Sequence, residues 1–256
     1  VIETVYDPID GLVKLGLALI LLVIAIAISW AKNLKLEKEI GIAAFRAIVQ
    51  LMIVVLIIAA VFRSESLILM VLVLFGMTVF AAFTSAKRAK EISDPLRVTF
   101  PSIAMGSAIS LLVLLLLGVL PLQPEFLIPV GSMTIGGCMV VCSLVIDRLM
   151  GEISNSRALI ETSLCLGATD QEALEPLSRK SIKASLIPSI DRLETLGTVI
   201  LPGTMAGMII AGVDPIWAAE YQLIIMFLLL ASGMITAVLA MYLAQKSIKS
   251  IGPLQS

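Results

Sequence analysis

Time after time this chain runs for about twenty residues with hardly a charge, and that repetition decides what it can fold into. Apolar stretches at about 11 to 30, 39 to 62, 66 to 84, 98 to 120, 126 to 147, 195 to 213 and 218 to 244 each match the length that carries a helix through a hydrocarbon layer about 30 Å thick. In that solvent every backbone N–H and C=O needs a partner within the protein, which helices supply from their own segment. Composition agrees: 59% of residues are hydrophobic and only 14% charged, where soluble domains carry about 25%. The expected fold is all-α, a polytopic membrane protein of about seven transmembrane helices. The 256 residues read as one transmembrane domain, 1–256, with a coupling segment at about 148–194 between the fifth and sixth spans.

Charge placement gives the orientation. Of the 18 Lys and Arg, all but Lys14, Arg46 and Arg63 fall in alternate connections or at the C-terminal end. Basic residues concentrate on the cytoplasmic side, so the N-terminus is expected outside and the C-terminus in the cytoplasm. The net charge of −1 says nothing further about partners.

Within the long cytoplasmic connection, "ETSLCLGATDQEAL" (161–174) interrupts the apolar chain with a polar corner. Gly167 suits a helix end, and Thr169 or Asp170 suits the start of the next, with Glu172 or Glu175 near the new N-terminus. A helix, a tight corner and a second helix are expected here, facing the cytoplasm. Such a corner serves either as an amphipathic segment lying in the interface or as a docking knob for a soluble protein.

Polar residues inside spans are costly and mark candidate pathways. Arg46 and Gln50 share a face of the second span, although Arg46 is close enough to its cytoplasmic end to snorkel. Asp191, Glu194, Thr195, Thr198, Pro202 and Met205 recur every three or four residues and predict one stripe along the sixth span. That stripe reads either as a cation route or as a cytoplasmic rim continuing into helix packing. Pro202, Gly203 and Gly207, like Pro129, Gly136 and Gly137 in the fifth span, predict hinges or close packing. Methionines are frequent, but no Met-x-x-Met cluster flanked by Cys marks a copper site, so no metal ligands are assigned. With three Cys and no His, a zinc site built on imidazole is excluded.

The array "FRAIVQL" (45–51), "IPVGSMTIGGCMVV" (128–141), "ETSLCLGAT" (161–169) and "IPSIDRLETLGTVILPGTMAGMIIAGVDPIWAAEYQ" (187–222) resembles the UPF0014 family over nearly the whole chain, in the same order. That family comprises bacterial iron-export permeases and plant aluminium-tolerance permeases. Glu161 and Gly167 also stand six apart, as in the coupling helix of type I ABC permeases. One departure is that the family commonly has Gly-Asn-Ala-Met where this chain has Gly136, Gly137, Cys138 and Met139. The resemblance implies a permease subunit that forms a homodimer in a bacterial or archaeal cell membrane and is driven by a separate cytoplasmic ABC ATPase. It implies that Glu161, Gly167, Ala168 and Thr169 meet that ATPase, and that ATP and Mg are bound by the partner. The chain itself lacks a G-x-x-x-x-G-K-[ST] phosphate loop, so no cofactor is expected on it. The expected cargo is iron or another metal cation.

Three other readings stay open: ABC export of an organic solute such as a nucleotide sugar, a proton-coupled carrier using Asp191 or Glu194, and a non-transporting membrane scaffold. Catalysis is not expected, since no nucleophile is paired with a base, and nucleic-acid binding is not expected without a basic aromatic surface.

Overall fold

The structure is a computed structural model and describes residues 8–247 apart from 65, 90, 91 and 93. Of the basic residues counted above, Lys90 and Lys249 lie outside the described residues. Among the described residues the regular structure is helical: α1 (Pro8–Ala31), α2 (Glu37–Ser64), α3 (Leu67–Ala86), α4 (Pro95–Leu116), α5 (Pro124–Asn155), α6 (Arg157–Cys165), α7 (Asp170–Glu194), α8 (Gly203–Ile210) and α9 (Pro215–Ser247). Six of them, α1 to α5 and α9, are long and apolar enough to cross a membrane.

Residues 1–64 form one compact unit and 65–256 another. In the first, α1 and α2 make a hairpin. Its turn puts Asn33 and Lys35 at φ 54° and 58°, and Ser29 ties it shut by donating from Oγ to Glu37 Oε1 at 2.9 Å while accepting from Leu36 N–H at 3.1 Å.

In the second unit α5 is the central pillar, packed against α3, α4, α7 and α9. Cys138, Cys142, Val145 and Leu149 of α5 are buried with Val98 and Ile103 of α4 and Ala237, Ala240 and Ala244 of α9. Lipid gives apolar side chains no reason to leave it, so such helices cohere through close packing of small residues. Gly106 of α4 is the tightest case: a Cβ there would run into Thr236 Oγ1 and stand 3.0 Å from the Ser232 carbonyl oxygen of α9. Buried hydroxyls are satisfied at home, as when Ser102, Ser107 and Ser110 donate to the carbonyls of Val98, Ile103 and Gly106 at 2.7–2.9 Å. Two others bridge helices, Thr99 to Ala82 O and Ser143 to Ser85 Oγ, both at 3.0 Å.

The sixth apolar stretch, 195–213, differs from the continuous helix expected. Here α7 ends at Glu194, residues 195–202 form an irregular turn, and α8 covers only 203–210. Two residues account for the break. Gly197 takes φ +78° and donates to Ile200 O at 3.0 Å, while Pro202, lacking an N–H, holds φ −64° and ψ 138° just before α8. By contrast α5 runs unbroken through Pro129, Gly136 and Gly137. These three do not interrupt the helix, which is packed along its length against α3, α4, α7 and α9.

Candidate functional site

Two features of the second unit carry chemistry: a corner at one end of α7 and a cleft beside its other half. The corner is built from α6, residues 166–169 and the first turn of α7. Gly167 adopts φ +95°, which lets its N–H reach Leu164 O and the Ala168 N–H reach Ser163 O, both at 3.0 Å. This paired closure satisfies the last carbonyls of α6 and needs a left-handed residue that glycine adopts without strain. Thr169 then caps α7: its Oγ1 accepts from Glu172 N–H at 3.3 Å and its own N–H donates to Glu172 Oε2 at 2.8 Å. That backbone N–H first, and then the Thr169 hydroxyl donating to the same Oε2 at 2.8 Å, hold the Glu172 carboxyl below its ordinary value. Beneath the corner, Ile160, Leu174 and Leu177 make a small buried cluster. Above it, Glu161, Gly167 and Thr169 are exposed and Ala168 half-buried. Two large apolar side chains also point outward, Leu159 at 65% and Leu166 at 83% exposure. The corner is anchored by Lys180, whose ammonium lies 2.9 Å from the Glu152 carboxylate of α5, and by Gln245 of α9, which donates to Ser178 Oγ at 2.6 Å.

The cleft, of about 250 Å³, opens between α5, α7 and α9. Gly136 and Gly137 form its α5 wall, Leu229 belongs to its α9 side, and Ser185, Pro188, Ser189 and Arg192 come from α7. It therefore lies beside the middle of two spanning helices. Missing side chains create the space: nothing stands within 4 Å of a Cβ on Gly136, while one on Gly137 would meet Leu229 Cδ2 at 3.2 Å. Pro188 cannot donate to the carbonyl four residues earlier, Ala184, so α7 is locally weakened where it borders the cleft. The polar residues lining the cleft are Arg192, Ser185 and Ser189, with Met133 beside them, and no Asp or Glu is among its lining residues. Two turns before Leu229 on α9 is Gln222, 2% exposed, whose Oε1 is buried without a hydrogen-bond partner.

Within the second unit the expected pathway residues are not brought together. Arg46, exposed, and Gln50, half-buried, belong to α2 of the first unit. Asp191 and Glu194 are exposed on the last turn of α7, outside the cleft lining. Thr195 and Thr198 are spent on the turn, donating to Asp191 O at 2.6 Å and Thr195 O at 3.2 Å. Met205 sits half-buried on α8. The single stripe fails because the helix it required stops at Glu194. Of the predicted hinge residues, Gly136 and Gly137 line the cleft, and Pro202 and Gly203 mark the α7–α8 break, with Gly207 further along α8. Ser185, Ser189 and Arg192 were overlooked, although their i, i+4, i+7 spacing placed them on one helical face. Among the described residues no group of three or more His, Cys, Asp or Glu is placed to hold a metal ion.

The family model described as "Uncharacterised protein family (UPF0014)" matches residues 12–248. The chain is similar to the "Probable iron export permease protein FetB" of Escherichia coli, at 38% identity over 91% of this chain and 90% of that protein. It is 30% identical to "Protein ALUMINUM SENSITIVE 3" of Arabidopsis thaliana over 93% and 87% of the two chains, and 33% identical to "UPF0014 membrane protein YjkA" of Bacillus subtilis over 93% and 95%. No solved structure matches the chain.

Proposed function

The chain belongs to the UPF0014 family of membrane proteins, and from that premise we propose that it is the membrane subunit of an ATP-driven exporter, with its C-terminus in the cytoplasm and a second copy beside it. The observation that carries this reading is the corner at Gly167. A polar elbow that presents Leu159 and Leu166 to solvent, yet is fastened to α5 and α9 by Lys180 and Gln245, is suited to receive a push from a soluble partner and pass it to the bundle. That partner is an ABC ATPase that binds ATP and Mg, and Glu161, Gly167, Ala168 and Thr169 form its docking surface. The cargo extends from the relative named a probable iron export permease: iron or another metal cation, passing the cleft without a fixed ligand cage. A second reading, export of an anionic organic solute, is favoured by Arg192 and the absence of carboxylates in the cleft lining.

Purification of the tagged chain from its native membrane in mild detergent tests the first step. A small ATPase should accompany it and be lost in a Gly167→Trp variant. Recovery without any ATPase, under conditions that preserve other permease–ATPase pairs, overturns the reading. Flux into vesicles then separates the cargoes: Arg192→Gln should leave ferrous-ion transport intact if the free cation passes, and abolish transport if an anion does.

A further inference from the structure

A second recess, formed by α3 and α4, is chemically unlike the cleft. Between α3 and α4, at the ends joined by residues 87–94, lies an open groove of about 550 Å³ lined by Val79, Phe83, Phe100 and Pro101, with Arg97 at its mouth. Phe100 is fixed edge-on against Phe75, ring centroids 6.2 Å apart, so the apolar wall is formed in advance. Val79, Phe83 and Lys87 stand at i, i+4 and i+8, and Lys87 is the αR residue that caps α3. Exposed cations therefore flank the apolar wall on both helices: Lys87, one turn beyond the lining residue Phe83 on α3, and the lining residue Arg97, one turn before Phe100 on α4. An acid modulates the second: Arg97 lies 3.3 Å from Asp94, with both side chains largely exposed, a pairing weak enough to exchange.

We propose that this groove is a binding site for an acidic glycerophospholipid, an acyl chain lying along Phe83 and Phe100 and the phosphate held between Lys87 and Arg97. The almost wholly apolar lining suits a hydrocarbon chain and not a soluble anion, and two cations set against the one Asp94 carboxylate suit an anionic headgroup better than a zwitterion. In the orientation proposed above, on which this inference rests, the mouth opens at the cytoplasmic leaflet, where acidic lipids attract basic residues flanking spans.

The test is retention of phosphatidylglycerol against phosphatidylcholine by the full chain in native mass spectrometry, with no ATP, metal or partner needed, so its outcome is independent of transport. The expected result is preferential retention of phosphatidylglycerol, falling about fivefold for each of Lys87→Gln and Arg97→Gln, in variants whose unfolding midpoint in phosphatidylcholine is unchanged. Asp94→Asn should increase the preference, and glycerol phosphate without acyl chains should not compete. Equal retention of the two lipids, or a preference unaffected by the Lys87→Gln/Arg97→Gln double variant, overturns the proposal. So does a disulfide formed between two copies through Phe83→Cys, which would show that protein covers the groove.

Discussion

Replacing Gln222 by Leu should make the protein more stable and less active. The amide is 2% exposed on α9, and its Oε1 has no hydrogen-bond partner. An unpaired buried acceptor costs about 1–3 kcal/mol. In a membrane the lower end applies, because the unfolded chain also finds partners for its polar groups and measured interhelical bonds average about 0.6 kcal/mol. Leucine nearly matches glutamine in volume and prefers the neighbourhood of buried Ala218 and Ile225 on the same face, so little packing is lost. The net gain is about 1 kcal/mol, which for a unit of this size raises the unfolding midpoint by about 2–4 °C. Thermal unfolding in a fixed detergent measures the gain, and ATP-driven flux in reconstituted vesicles measures the loss. An amide kept at a cost, two turns along α9 from the cleft residue Leu229, implies a use for its free acceptor. A lower midpoint would refute the reasoning, since it would mean that Gln222 is satisfied and holds helices together. A higher midpoint with undiminished flux would refute the functional half.

Other outcomes follow from the same geometry. Thr169→Ala removes the cap of α7 and should cost about 1 kcal/mol, seen as faster amide exchange over 170–174 with the membrane core unaffected. The pH dependence of that turn has a definite sign: the folded Glu172 carboxyl lies below its ordinary value, so its stabilisation is present above the unfolded value of about 4.3 and is lost as pH falls through the folded one. Exchange in the first turn of α7 should therefore be flat through the neutral range, after correction for intrinsic rates, and accelerate only once pH falls below the ordinary carboxylate value; Glu172→Gln should remove the step. Gly106→Leu would drive a side chain into Thr236 and the Ser232 carbonyl, and should destabilise by about 1–3 kcal/mol or more, visible as a lowered midpoint and loss of a single species in gel filtration.

Spans of hydrocarbon length and a capped polar corner were legible because each depends on local sequence: twenty apolar residues, or Gly167 followed by Thr169 and Glu172. The break before α8 was only half legible. Pro202 was recognisable as a breaker, but periodicity carried the reading through 195–201, and only the backbone shows that Gly197 turns there at φ +78°. The cleft was illegible for a different reason. It is made by what is missing, the side chains of Gly136 and Gly137, opposite a face of α7 whose Arg192 looks from sequence like one more basic residue of a cytoplasmic loop. Nothing local says that α7 continues about 33 Å from Asp170 to reach the middle of α5. That information lies in the antiparallel packing of α7 on α9, which brings Ser178 to Gln245.

The same packing makes α7 the element through which the proposed coupling would act. Its lower half is fastened to three neighbours: to α5 through Lys180 and Glu152, to α9 through Ser178 and Gln245, and to α6 through Ile160, Leu174 and Leu177. Movement imposed at Leu166 would therefore be passed on from the corner, to the Glu152 end of α5 and the Gln245 end of α9 together with α7. Its upper half is different. Pro188 removes one ladder bond beside the cleft, and the helix stops altogether at Thr195 in a turn held by Gly197 and Ile200. A rod rigid at the driven end and compliant at the cleft concentrates its distortion at the compliant end. Broken helices in transporters supply binding and gating at such interruptions. The Gly136–Gly137 wall and the α7–α8 break are thus where a push on the corner would be spent, and Ser185, Ser189 and Arg192 are the side chains it would move.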